Sequence, residues 1–91
     1  MSITIPLTRP IIVKGETVNS LTFREPDMGD LIAGETIGKG VQSATILATL
    51  ASMAGITFLE AKKISPVDFK RIDAEVAPLL GNDSADEAGT K

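Results

Sequence analysis

The sequence predicts an α+β fold in which an N-terminal β-hairpin or small antiparallel sheet precedes three to four short helices. Three observations predict this class. Apolar and polar residues alternate through the first third of the chain, helical spacing replaces that alternation after Pro26, and helix-capping residues stand at several later positions. A chain of 91 residues is long enough for one domain, which we place at residues 1–81.

Apolar residues predict the two strands of the hairpin. Ile3, Ile5 and Leu7 alternate with polar residues or proline, as in a strand with one buried face. A second apolar stretch follows at 11–13, and the return strand is predicted at 18–23.

The turn between these strands is predicted at Gly15, which tolerates the positive φ of a tight turn. With a two-residue turn, the apolar residues of the two strands would lie on opposite faces of the hairpin. We therefore expect a three-residue loop, or a bulge near Asn19, to restore the register. The expected result sets Ile11 and Val13 beside Leu21 and Phe23.

Capping residues fix the predicted ends of the first two helices. Asp27 stands three residues before Asp30, which is the spacing of a capping pair, so a helix should begin there and end near 38–40. A second helix is predicted over 41–54, and Gly55 should cap its C-terminal end.

Similar signals predict two more helices. Thr57 and Glu60 form a second capping pair, ahead of a short helix that should reach Ile64. Ser65 followed by Pro66 is the clearest helix start in the chain, because serine caps the first turn and proline fits its first position.

The composition changes after this last helix. Pro78 should weaken the final helical turn, because proline cannot donate to the helical hydrogen-bond ladder. Residues 82–91 contain no large apolar side chain and cannot offset the entropy of ordering, so we expect a disordered acidic tail there.

The composition also limits the chemistry of the chain. With no Cys and no His, thiolate chemistry, a zinc ribbon and Ser-His-Asp hydrolysis are excluded, and only carboxylate or lysine chemistry remains open. We expect no catalysis, no cofactor and no metal. The net charge is −3, and no stretch is basic enough for nucleic acid or an anionic membrane surface. The N-terminus has no signal-peptide pattern, which favours the cytoplasm.

Two patterns resemble ligand sites but fit local structure better. Within Gly34–Gly40, three residues separate the first two glycines where a phosphate-binding loop needs four, and Gly40 replaces its Ser or Thr. We expect an interhelical loop instead. The acids from Glu25 to Glu35 lack the spacing of a calcium loop, and acids are favourable in the first turn of a helix.

A third pattern provides an alternative function. The turn at 53–57 followed by a short helix resembles a helix-turn-helix, which would make the chain a small DNA-binding regulator. Its recognition helix would carry Glu60, Lys62 and Lys63. The flanking helices are neutral or acidic, and no Arg is placed to contact guanine, so this is the less favoured interpretation.

The predicted second helix is unusual, because no residue between Lys39 and Glu60 is charged. Neutral polar residues recur along it at helical spacing: Gln42, Thr45, Thr49 and Ser52. This stripe argues against a membrane span. Two interpretations remain open: a central helix buried by its neighbours, or a surface that contacts another chain, since interface cores are depleted in charge.

Six segments have a distinctive layout. They are Ile5–Thr8, Val13–Thr17, Leu21–Pro26, Gly29–Leu31, Leu50–Ile56 and Ser65–Phe69. Together they resemble the small tail assembly chaperones of Mu-like and related contractile-tailed bacteriophages, over roughly residues 3–75. The strand-to-helix junction from Leu21 to Leu31 is the most specific part of the resemblance, and no catalytic motif defines the family.

The resemblance implies a protein of the host cytoplasm that helps to build the phage tail and is absent from the mature virion. The resemblance further implies that the protein binds the tape measure protein, keeps it soluble and helps to recruit the tail tube protein. A longer form of the same protein, made by ribosomal frameshifting, would be a further partner. A homo-oligomer is compatible with this role, and a minor structural tail subunit is the alternative function left open.

This role needs apolar surface and adaptable side chains, not reactive groups. We hypothesise that a groove for a helix of the partner is formed by Met28, Leu31, Ile32, Leu47, Leu50 and Met53. The hypothesis requires that some apolar surface stays open in the folded chain.

Overall fold

A computed structural model of the protein describes residues 2–80. Two long strands form an antiparallel hairpin and helices follow, which confirms the α+β class. The elements are β1 (Ser2–Val13), β2 (Glu16–Arg24), α1 (Met28–Gly38), α2 (Gln42–Ala54), α3 (Phe58–Ala61) and α4 (Pro66–Val76), followed by a 3-10 turn at Ala77–Leu80. The tail predicted at 82–91 lies outside the described residues.

The hairpin closes through a two-residue turn at Lys14 and Gly15. Both residues have positive φ, 52° and 81°, which is the turn geometry whose twist matches that of paired strands. Val13 therefore pairs directly with Glu16, and the three-residue loop does not form.

The register shifts in the middle of the hairpin. Pro6 pairs with Ser20 and Ile11 pairs with Val18, so residues 7–10 lie opposite Asn19 alone. The expected irregularity near Asn19 is confirmed, but the extra residues belong to β1. The expected pairing is wrong: Ile3 lies opposite Phe23, Ile5 opposite Leu21, Ile11 opposite Val18 and Val13 opposite Glu16. The tight turn fixes the register near the tip, and the irregularity keeps the apolar residues of both strands on one face.

That face of the hairpin forms the core together with α2 and α4. Successive side chains of a strand point to opposite sides, so alternate residues of each strand reach the helices. The buried core consists of Ile5, Leu7, Ile11, Leu21, Phe23, Leu50, Met53, Ile72 and Val76.

The uncharged α2 is the central helix of the domain. It packs against α1, against β2 and against α3 on different sides. Residues 48–51 and Met53 are buried by these neighbours, which explains why the second half of α2 carries no charge, since an unpaired charge is costly in a protein interior. Within residues 2–80, no helix is long and apolar enough to cross a membrane.

The polar stripe of α2 faces α1. A Cβ atom on Gly34 would stand 2.8 Å from the carbonyl oxygen of Thr45, and one on Gly38 would stand 2.7 Å from the Thr45 Cα. The hydroxyl of Thr49 donates to the Thr45 carbonyl at 2.8 Å and needs no partner chain. Most of the stripe is therefore an internal helix contact, and Gln42 is exposed at its end.

The predicted helix ends agree well with the structure. Asp27 and Asp30 form a capping box, Thr57 and Glu60 form another, and Ser65 caps α4 with Pro66 in its first turn. The helix predicted to reach Ile64 is shorter, since α3 ends at Ala61. The interhelical loop expected at Gly34–Gly40 is wrong for its first five residues, because α1 continues to Gly38 and only residues 39–41 connect it to α2. The last turn of α4 changes to 3-10 geometry at Ala77–Leu80, as expected from Pro78.

Candidate protein-interaction site

Three carboxylates connect α1, α3 and α4 to the hairpin and thereby position the exposed faces of these three helices. Asp30, Glu60 and Asp68 each occupy the third position of a helix, where a side chain can reach backbone amides of the preceding turn. Each also accepts hydrogen bonds from the hairpin. These three acids therefore hold α1, α3 and α4 against the hairpin.

Asp30 anchors α1 to the end of β2. Its carboxylate is almost completely buried and forms a bidentate pair with Arg24, with N–O distances of 2.7 and 2.8 Å. The Ser52 hydroxyl donates to the same group at 2.5 Å, and the Asp27 amide donates at 2.8 Å. The hydrogen bond from Arg24 is the main reason why the pKa of Asp30 lies far below its usual range, although burial opposes the shift.

Asp68 anchors α4 to the irregular part of β1. The freed backbone amides of Thr8 and Arg9 donate to its carboxylate at 3.0 and 3.1 Å, and the Thr8 hydroxyl donates at 2.9 Å. Burial raises the pKa of Asp68, but these hydrogen bonds outweigh it and lower that pKa to about 2. The irregularity therefore leaves no unsatisfied amide at these two positions.

Glu60 anchors α3 to the tip of the hairpin. It accepts from the amides of Thr57 and Lys14, both at 2.9 Å. These two hydrogen bonds lower the pKa of Glu60. The carboxylates of Asp30 and Asp68 also accept hydrogen bonds at helix starts. Capping therefore explains these acids better than cation binding does. No group of three His, Cys, Asp or Glu side chains within residues 2–80 is arranged to hold a metal ion.

The outer face of α1 is the first candidate interaction surface, and it comprises Met28 and Ile32, with the less exposed Leu31 at its edge. Their side chains are 65%, 57% and 38% exposed, respectively, although a helix of a small domain usually buries its large apolar residues. Gly34 and Gly38 take the inner face because only glycine permits the close approach to α2. The large residues are consequently left in solvent.

The six predicted partner-binding residues do not form one surface. Leu50 and Met53 are only 2% exposed and belong to the core, so placing them in an open groove was wrong. They point at the hairpin because α2 is central and α1 covers a different side of it. Leu47 is half-buried and lies about 200° around α2 from Thr45, the residue that contacts α1.

Leu47 lines a groove between α2, α3 and α4. The groove has a volume of about 350 Å³, and apolar side chains form most of its wall. Phe58 and Phe69 contribute from the other two helices. This groove and the outer face of α1 are separated by α2, so one partner helix does not cover both.

A second groove lies between the hairpin and α3, and we call it the hairpin groove. It has a volume of about 500 Å³ and is lined by Arg9, Pro10, Ile11, Ile12, Leu59, Glu60 and Lys63. Ile12 is 56% exposed and Leu59 is 71% exposed. This site was not expected from the sequence. The run of three apolar residues at 11–13 could have indicated it. Successive side chains of a strand point to opposite faces, so the middle residue of the run must point away from the core.

The short α3 weakens the DNA-binding alternative. It contains four residues, about one turn, whereas a recognition helix must present several side chains along a groove of DNA. Glu60, which that alternative placed on the recognition helix, is engaged by Lys14 and Thr57.

Comparison with known proteins identifies one family. A family model described as "Phage tail assembly chaperone proteins, E, or 41 or 14" matches residues 4–81, which is most of the chain. No curated protein and no solved structure matches.

Proposed function

The chain belongs to the family of phage tail assembly chaperone proteins, and on this premise we propose that it binds a helical segment of the tape measure protein through the outer face of α1. Membership in the family implies protein partners during tail assembly. The exposure of Met28, Leu31 and Ile32 is the observation that supports α1 as the contact surface.

The proposed contact follows from the spacing of these residues. Met28, Leu31 and Ile32 stand at i, i+3 and i+4 and therefore share one side of α1. An apolar stripe on a partner helix would pack against them, which removes apolar area of both helices from water. A partner that is held this way before assembly would stay soluble.

The wider proposal has five parts. The protein acts in the host cytoplasm without catalysis and leaves before the virion matures. It helps to recruit the tail tube protein to the tape measure protein. A longer frameshifted form of the same chain takes part in that step.

Mass spectrometry of purified virions should detect the tube protein and not this chain. A stoichiometric amount of this chain in virions would instead indicate a structural tail subunit.

The binding proposal is tested by co-expression of the chain with the tape measure protein. The double variant Met28→Asp/Ile32→Asp places two charges on the outer face of α1, so the yield of co-purified partner should fall at least about tenfold. Both residues are exposed, so circular dichroism and the thermal midpoint should stay close to those of the wild type.

Val67→Asp is the matched control. Val67 is 70% exposed on α4, and an acid in the first turn of a helix is favourable. This variant should retain the partner. Equal retention by the folded double variant would contradict the proposed contact surface, as would equal losses from both variants.

A further inference from the structure

The first helix contributes no side chain to the hydrophobic core. Neither the core residues nor the half-buried apolar residues packed against them come from residues 28–38. The buried residues of α1 are one carboxylate and two glycines, Asp30, Gly34 and Gly38. By contrast, α4 contributes Ile72 and Val76, whose side chains are completely buried. The apolar burial that holds α4 in place is therefore missing at α1.

The contact between α1 and α2 is close, but it supplies little hydrophobic stabilisation. Within residues 2–80, α2 is the only helix or strand with which α1 makes extensive contact. Gly34 and Gly38 lie against Thr45 in this contact, so backbone atoms and small side chains form it. Because glycine carries no side chain, separation of the two helices exposes less apolar area than separation of helices that pack through leucines.

Once separated from α2, α1 is too weak a helix to persist. It has 11 residues and includes Gly29, Gly34 and Gly38, and glycine disfavours a helix relative to alanine. Isolated helices shorter than roughly 12–15 residues are marginal in water even when their sequences are favourable. Loss of the contact with α2 therefore unfolds α1.

A polar cluster holds the start of α1, and we call its three members, Arg24, Asp30 and Ser52, the latch. The Asp30 carboxylate accepts hydrogen bonds from the Arg24 side chain at 2.7 and 2.8 Å and from the Ser52 hydroxyl at 2.5 Å. Arg24 also donates to the Ser52 carbonyl oxygen at 3.3 Å. The latch thus joins α1 to β2 and to α2, and its bonds to Asp30 break when α1 leaves.

The connections at the two ends of α1 lie outside the packed elements. Residues 25–27 belong to no helix or strand, and residues 39–41 connect α1 to α2. Lys39 and Gly40 have φ angles of 50° and 87°, and a Cβ atom on Gly40 would meet nothing within 4 Å. Such connections can change their backbone angles without disturbing the core.

From these observations we propose that α1 opens and unfolds locally as a unit while the hairpin, α2 and α4 stay folded, and that the latch controls how often it opens. Segments with few buried apolar contacts have the lowest free energies of local opening. The closed form predominates, because the latch and the contact with α2 hold α1 in place.

The consequence for partner binding rests on the proposed function. Met28 and Ile32 share one side of α1 only while the chain there is helical, so the outer face exists only in the closed form. The latch therefore sets the fraction of chains that can bind, and a bound partner keeps α1 closed.

Native-state hydrogen exchange of the full chain, measured by NMR without a partner, tests the opening. Relative to unfolded chain, the amides of residues 32–38 in α1 should exchange at least about tenfold faster than those of residues 70–76 in α4. Low concentrations of urea should accelerate exchange in α4 and scarcely change it in α1, because a local opening exposes little surface. Equal protection with equal urea dependence would overturn the proposal.

Ile72→Val distinguishes a local opening of α1 from cooperative unfolding of the whole domain. Ile72 is completely buried in the core, and α1 makes no extensive contact with α4 within residues 2–80. Exchange in α4 should accelerate roughly 2- to 12-fold. Exchange in α1 should not change, because the loss of a core methyl group affects the closed and the open form equally. Equal acceleration in both helices would show that α1 unfolds only with the whole domain.

Ser52→Ala tests the latch, because it removes one hydrogen bond to Asp30 and keeps a good helix former in α2. Exchange of the α1 amides should accelerate about tenfold. Ser43→Ala is the matched control on the same helix, since Ser43 is exposed and forms no side-chain hydrogen bond to α1 within the described chain. Unchanged α1 exchange in Ser52→Ala, or equal acceleration by both variants, would contradict the role of the latch.

All of these measurements use the chain without a partner. Their outcome is therefore independent of the co-purification experiment that tests the proposed function, and failure of either proposal can be recognised separately.

Discussion

Gly34 of α1 lies so close to Thr45 of α2 that a Cβ atom on the glycine would stand 2.8 Å from the threonine carbonyl oxygen. This contact turns the small residues of α1 inward. The same helix must then turn Met28 and Ile32 outward, since residues on opposite sides of a helix cannot share one neighbour. The candidate interaction surface is thus a consequence of close helix packing.

Gly34→Ala should lower the free energy of unfolding by about 1–3 kcal/mol, because the backbone of α2 has to move to admit the methyl group. Gly29→Ala is the matched control, since its nearest neighbour is the end of the Asp27 side chain and alanine favours the helix. It should change the free energy of unfolding by less than about 1 kcal/mol, because alanine favours the helix while its methyl group stands 3.2 Å from the capping oxygen of Asp27. Urea unfolding measures both changes, and equal effects would contradict the close-packing explanation.

Asp30→Asn should lower the free energy of unfolding by about 1–3 kcal/mol, because it replaces a charge-assisted pair with Arg24 by weaker hydrogen bonds. Arg24 is 51% exposed, so solvent screening keeps the loss below that of a fully buried pair. Asp73→Asn is the control on α4, and chemical unfolding should show little change for it. A loss as large for Asp73→Asn would point to a general charge effect.

The pH dependence of stability should be dominated by Asp30 and Asp68. Both have a pKa that is lower in the folded chain than the value of about 3.9 in an unfolded chain. Their contribution is complete above that value, and it is lost as the pH falls through the folded pKa, which is about 2 for Asp68.

Unfolding free energies measured between pH 7 and pH 2 should therefore stay level at first and decline below about pH 4. For Asp68→Asn, the free energy of unfolding should be lower than that of the wild type near pH 7 and should decline less below about pH 4. Stability that increases on acidification below pH 4 would show that burial of the carboxylate outweighs its hydrogen bonds.

Leu50→Ala should lower the free energy of unfolding by about 2–5 kcal/mol, because it opens a cavity among buried side chains. Ile32→Ala should change it by less than about 1 kcal/mol, since Ile32 is 57% exposed. Thermal and urea unfolding compare the two variants directly. A small effect at Leu50 would mean that it does not belong to the core.

Short-range signals made the outline of the fold predictable. Gly15 and the alternating apolar residues indicated the hairpin, and the Asp27–Asp30 pair placed the start of α1 within a residue. Such signals act through hydrogen bonds between residues a few positions apart, so they are visible in the chain itself. The register was less accessible, because the irregularity opposite Asn19 is stabilised by Asp68, which lies 60 residues from Thr8.

The candidate site was predicted only in part for a similar reason. Periodicity showed that the helices carry apolar residues, but Leu50 and Ile32 are equally apolar and have opposite environments. The sequence by itself determined the fold class, the helix starts and the absence of His and Cys chemistry, because local propensity and composition suffice for these. The tertiary structure decided which side of α1 faces water, because that choice depends on how closely Gly34 and Gly38 allow α2 to approach.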